Sequence, residues 1–145
     1  MRISEWMTVV PITVTPATPV SEARQMMQKK RIRHLLVTEG ERLAGIITDR
    51  DIRLNLPSPA TSLSVWEVNY LLTKLTVGEV MTRSVITIRP GRPVEEAVRL
   101  LLEHKIGALP VTEGEGVVGI ITETDLLRAF ARMLEAHADP APVAA

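Results

Sequence analysis

Cysteine does not occur in the 145 residues, which at once excludes a disulfide framework, a thiolate zinc site and a cysteine nucleophile. Aromatic residues are scarce too, two Trp, one Tyr and one Phe. Charge of one sign is missing: 17 Lys and Arg balance 17 Asp and Glu, so no global field gathers nucleic acid or an anionic membrane surface. Any anion binding must therefore be local. Long apolar runs are also absent, since none approaches the ~20 residues that span a bilayer. The opening "MRISEWMTVVPITV" lacks the basic stretch and long apolar stretch of a secretory signal. These absences predict a compact cytoplasmic domain with neither nucleic acid nor membrane among its partners. With 46% hydrophobic residues, the chain can bury one core or two small interlocked ones.

What the sequence does have is repetition. "GIITDRD", Gly45 to Asp51, returns as "GIITETD", Gly119 to Asp125. At an offset of 74, residues 5–51 align without a gap on residues 79–125, with 22 identities in 47 positions. A long period that occurs only twice indicates a duplicated module whose halves pack about a pseudo-twofold axis.

Each copy carries the same order of elements. "PITV" and "VITI", closed by Pro16 and Pro90, read as short strands. A helix follows each. In the first copy Thr18 can cap it and Pro19 suits its first position, with Val20, Ala23, Met26 and Met27 at helical spacing; Val94, Ala97, Val98 and Leu101 repeat the stripe. "HLLVT" and "LAGIIT", and likewise "ALPVT" and "VVGIIT", read as buried strands joined by turns containing Gly40, or Gly114 and Gly116, and a last helix starts after each Thr. The predicted fold class is α/β (α+β), two strand-helix-strand-strand-helix repeats. Their spans are 1–55 and 77–136. A linker over 56–76 is broken by Pro57 and Pro59 and then opened into a short helix by Ser64 and Glu67, and a frayed tail covers 137–145.

This unit in tandem, with "RHLLV" and "GALPV" on the second strands and "MT" before each first strand, resembles a pair of CBS domains over residues 3 to about 130. The linker is similar to that of stand-alone two-CBS proteins of the acetoin-utilisation B type, some of which carry a further C-terminal domain. The resemblance implies a regulatory, energy-sensing module that binds AMP, ADP, ATP or S-adenosylmethionine in clefts between the repeats, requires no cofactor and is not an enzyme. It also implies a homodimer with an unidentified downstream protein.

The chemistry of the repeated phrase agrees. Asp51 or Asp125 can accept hydrogen bonds from both hydroxyls of a ribose, each charge-assisted bond contributing about 1.5–3 kcal/mol. Thr48 and Thr122 stand where a strand turns into a helix, so their hydroxyls and the free amides beside them suit a phosphate. Gly45 and Gly119 leave room for a ligand or for the partner repeat. Adenine is expected at Val10, Pro11 and Ile12 in one cleft and at Ser84, Val85 and Ile86 in the other. Arg33, His34 and Ala108, at the start of the second strands, and Arg50 beside Thr48 complete the set. Lys29, Lys30, Arg31, Arg33 and His34 crowd the first copy, against His104 and Lys105 in the second, with Arg53 adding to the first. They read either as cations at a helix C-terminus or as a phosphate-facing rim.

The same Thr-x-x-Asp is also a capping box that needs no ligand. The alternative function is therefore a structural homodimerisation module with vestigial clefts. A hydrolase would need a water-activating base, and the sequence offers neither a nucleophile paired with a base nor a glycine-rich phosphate cradle nor a metal cluster. Met26, Met27, Leu101, Leu127 and Phe130 are the candidate dimer surface.

Overall fold

The computed structural model describes residues 1–57 and 62–138. Pro59 and all but the first two residues of the expected tail lie outside the described residues. The element order is α1 (Ile3–Trp6), β1 (Thr8–Val9), β2 (Thr13–Val14), α2 (Val20–Lys30), β3 (His34–Glu39), β4 (Arg42–Thr48), α3 (Asp49–Leu54), α4 (Val65–Lys74), α5 (Val77–Val80), α6 (Val94–His104), β5 (Ala108–Glu113), β6 (Gly116–Thr122) and α7 (Glu123–Ala136). The chain is a mixed α/β fold of two like repeats.

The duplication is visible in the pairing. β3 and β4 are antiparallel with His34 opposite Thr48, and β5 and β6 repeat this with Ala108 opposite Thr122. The register slips between Val37 and Thr38 in one hairpin and between Val111 and Thr112 in the other. Each hairpin turns on a glycine of positive φ, Gly40 at 63° and Gly114 at 60°, a conformation that costs a side chain but not glycine.

The leading segments differ from expectation. "PITV" keeps only Thr13–Val14, parallel to β3, and "VITI" shrinks to one bridge between Ile88 and Val111. The pairing absent there is found across the repeats. Thr8 and Val9 pair with Ile120 and Gly119 of the second copy, and Thr82 bridges to Ile46 of the first. Pro19 and Pro93 take the N-cap position, so α2 starts one residue later than expected, while Thr18 Oγ1 accepts a hydrogen bond from the Thr15 amide. Helices α2 and α6 end on left-handed Arg31 and Lys105, both at φ 54°.

Two cores follow this exchange. One joins Val14, Val20, Ala23, Met27, Leu35, Val37, Ile47 and Ile52 of the first copy to Leu72 of α4 and to Val77 and Met81. The other joins Ile88, Val94, Ala97, Leu101, Leu109, Val111 and Ile121 of the second copy to Ile3 from the start of the chain. A third, small cluster of Leu36, Ile46, Ala108 and Ile120 packs the two hairpins together. Burying an aliphatic side chain of this size stabilises the fold by about 1.5–3 kcal/mol. Met27 and Leu101 are thus core residues and not free surface, which corrects their place in the expected dimer face; Leu127 and Phe130 are exposed.

The two GIIT glycines serve this exchange. A Cβ on Gly45 would lie 2.6 Å from the Thr82 carbonyl oxygen, and one on Gly119 would lie 2.8 Å from that of Thr8. The room they leave is filled by the partner repeat.

Candidate functional site

Where the repeats meet, a cavity of about 1080 Å³ opens beside the end of β4. Its walls include Arg33, His34, Thr48, Arg50 and Asp51 from the first copy, and Ser84, Val85, Ile86 and Ala108 from the second. Nine of the fourteen site residues expected from the sequence line this cavity, and Val10, Pro11, Ile12, Thr122 and Asp125 do not. Val10 and Pro11 line a smaller groove at the hairpin turns with Thr38, Gly40 and Val117, away from both Asp residues. Val10 is exposed there at φ 52°, strained for a β-branched residue. Ile12 packs against the first core.

Asp51 and Asp125 both close capping boxes, and they do so unequally. The Thr48 amide donates to Asp51 Oδ2 at 2.9 Å and the Asp51 amide to Thr48 Oγ1 at 3.1 Å. Among the described residues, Asp51 Oδ1 has no hydrogen-bond partner. Asp125 is 4% exposed. Its Oδ2 accepts from the Thr122 amide at 2.9 Å and from the Thr122 hydroxyl at 3.1 Å, and its Oδ1 faces Arg128 at 3.5 Å.

The same bonds take up several of the amides expected to face a phosphate. The amides of Thr48 and Asp51 serve the cap, and the Asp49 amide donates to the Arg33 carbonyl at 2.9 Å. The second copy repeats this, with the Glu123 amide donating to the Gly107 carbonyl at 3.0 Å.

The basic rim also divides. Lys29, Lys30 and Arg31 sit in the last turn and cap of α2, where cations complement the helix dipole. Arg33, His34, Arg50, Arg53 and Lys105 line the cavity. His34 is half-buried, and a Cβ on Gly107 would lie 3.1 Å from its Nε2. Burial pushes the imidazole below its ordinary pKa of 6.5, with Arg33 acting the same way and Glu123 and Asp51 opposing. Asp49, Glu123, Thr82, Leu54 and Leu102 also line the cavity and were not foreseen; the offset of 74 marks Asp49 and Glu123 as counterparts, but only the packing of the repeats brings both to one space.

Among the described residues, no group of three or more His, Cys, Asp and Glu side chains could hold a metal ion, and no helix is long and apolar enough to cross a membrane.

The fold and cavity define a tandem α/β module with a cavity shared between its repeats. The CBS domain family profile matches residues 3–58 and 77–132, and the chain belongs to this family. Its fold is similar to that of a candidate acetoin utilization protein (AcuB) from Vibrio cholerae, at a TM-score of 0.77 and 26% identity over 97% of this chain and 98% of that one. CBSX2, a protein of Arabidopsis thaliana solved in complex with AMP, is 31% identical at a TM-score of 0.76, over 91% and 97%. The CBS domain pair of protein MJ0100, solved with 5′-methylthioadenosine and S-adenosyl-L-methionine, is 29% identical at 0.75, over 92% and 98%. The chain spans about half or less of the length of the first curated relatives it matches, and only 21% of an inosine-5′-monophosphate dehydrogenase of Thermoplasma acidophilum. Relatives named as enzymes are larger proteins that include a CBS pair.

Proposed function

We propose that the chain is a cytoplasmic regulatory module that binds an adenosine-containing ligand between its repeats, needs no cofactor and catalyses no reaction on what it binds. AMP, ADP, ATP and S-adenosylmethionine are the candidates. The observation that carries this reading is Asp51 Oδ1, without a hydrogen-bond partner among the described residues, in a cavity built from both repeats. A carboxylate has about four acceptor positions, so a cap on Oδ2 leaves it able to receive a ribose diol. Ile46, Val85 and Ile86 offer apolar wall for an adenine ring, as pockets for flat ligands commonly do. The relatives solved with AMP and with S-adenosyl-L-methionine support the ligand class. A second copy of the chain and an unidentified downstream protein complete its partners.

Thermal unfolding with a panel of adenosine compounds tests this, because a ligand at 100 times its Kd stabilises the folded state by about 2.7 kcal/mol. At least one compound raises the melting temperature of the wild type. Asp51→Ala loses that shift, and the 2′-deoxy form of the same compound gives a smaller one. No shift with any compound, or an unchanged shift in Asp51→Ala, would leave Asp51 as a helix cap and the chain as a structural pair.

A further inference from the structure

We infer that the two copies have divided their work: the Asp51 cavity selects an anionic, 5′-phosphorylated adenosine, one per chain, while the Asp125 side is closed to ligand. The inference rests on the proposed function and narrows it.

Duplication supplies an internal control. At the offset of 74, Arg33 faces Gly107, Arg50 faces Thr124 and Arg53 faces Leu127. The three arginines that the second copy lacks line the same cavity, joined by Lys105 from the other repeat. Arg53 is engaged with Asp49 at 3.0 Å. Arg33, Arg50 and Lys105 have no ion pair among the described residues. Of the carboxylates that line the cavity, Asp49 serves Arg53, so Asp51 and Glu123 are left facing three cations and the balance stays positive.

With the amides of Thr48, Asp49 and Asp51 engaged elsewhere, these side chains are the cations at hand to hold a phosphate, and a guanidinium matches phosphate oxygens in a two-pronged fashion. An uncharged nucleoside gains nothing from them. S-adenosylmethionine, with a sulfonium and an ammonium against one carboxylate, carries net positive charge and is disfavoured. On the other side, Asp125 is buried with both oxygens engaged. The residue that reaches its second oxygen, Arg128, stands where the first copy has Leu54. The closed side thus has its own sequence mark.

Calorimetric titration of the full chain with AMP, adenosine and S-adenosylmethionine tests the proposal. AMP binds at one per chain and at least about tenfold more tightly than either other compound, the size of effect one charge-assisted contact gives. Raising the salt concentration narrows that gap, since exposed cations are screened. The double variant Arg33→Ala/Arg50→Ala binds AMP no better than adenosine, and Arg33→Lys/Arg50→Lys retains part of the preference. Both positions are exposed, so circular dichroism is unchanged in all of these proteins. Asp125→Asn, which can still accept from the Thr122 amide, binds AMP as the wild type does.

Adenosine or S-adenosylmethionine binding as tightly as AMP overturns the inference and leaves the proposed function standing. Two AMP per chain, or a double variant with undiminished AMP affinity, does the same. Absence of binding by every compound overturns both.

Discussion

His34 has Ala108 as its counterpart at the offset of 74, which makes it a natural probe of the cavity. Its folded-state proton affinity is lowered, chiefly by burial and further by Arg33, against the opposing pull of Glu123 and Asp51. The unfolded chain therefore binds the proton more readily, and the contribution of neutral His34 is fully present above about pH 6.5 and lost as pH falls from there through the folded value. Urea titrations at pH 7.5 and 5.5 should show wild-type stability falling more between them than that of His34→Ala. Equal losses would mean that the imidazole is as free to charge in the fold as out of it. The repeated Asp pair was legible from the sequence because identical residues recurred in identical contexts. The inequality between Asp51 and Asp125 was not, because it comes from residues outside the phrase, Arg128 against Leu54 above all.

Among elements, the hairpins and the helices α2, α6 and α7 could be read from β-branched runs and apolar spacing, because those local patterns coincide with what each copy buries. The leading strands could not. A two-residue strand such as Thr8–Val9 has no periodicity of its own, and its partner, β6, lies in the other repeat. The glycines hinted at close approach without saying what approached. Gly119→Ala places a Cβ 2.8 Å from the Thr8 carbonyl oxygen and 2.9 Å from Met7 Sδ, and Gly45→Ala meets Thr82 at 2.6 Å. Backbone does not yield as a flexible side chain does, so each variant should lose about 1–3 kcal/mol of stability by urea unfolding. Gly91→Ala, with nothing within 4 Å of the added carbon, should stay within about 0.5 kcal/mol of the wild type. A tolerated Gly45→Ala and Gly119→Ala would show that the exchanged strands can part without cost.

At the scale of the whole molecule, α7 exposes Leu127, Phe130 and Leu134 at helical spacing and α6 exposes Leu102, apolar side chains that a second subunit could cover. Light scattering at micromolar concentration should give twice the chain mass of 16.0 kDa, and Phe130→Glu should return it to a single chain of unchanged ellipticity. A wild type that scatters as one chain would assign that surface another use. The exchange of leading segments has a consequence for synthesis. Thr8 pairs with Ile120, 112 positions later, and the first core lacks Val77 and Met81 until the linker has been made. On the ribosome, then, the first copy cannot close as it emerges, and Ile3, fully buried in the finished fold, waits uncovered until the second hairpin leaves the tunnel. Contacts so distant along the chain slow folding, and a half-made protein of this kind shows its apolar segments to any chaperone or neighbouring nascent chain for most of its translation.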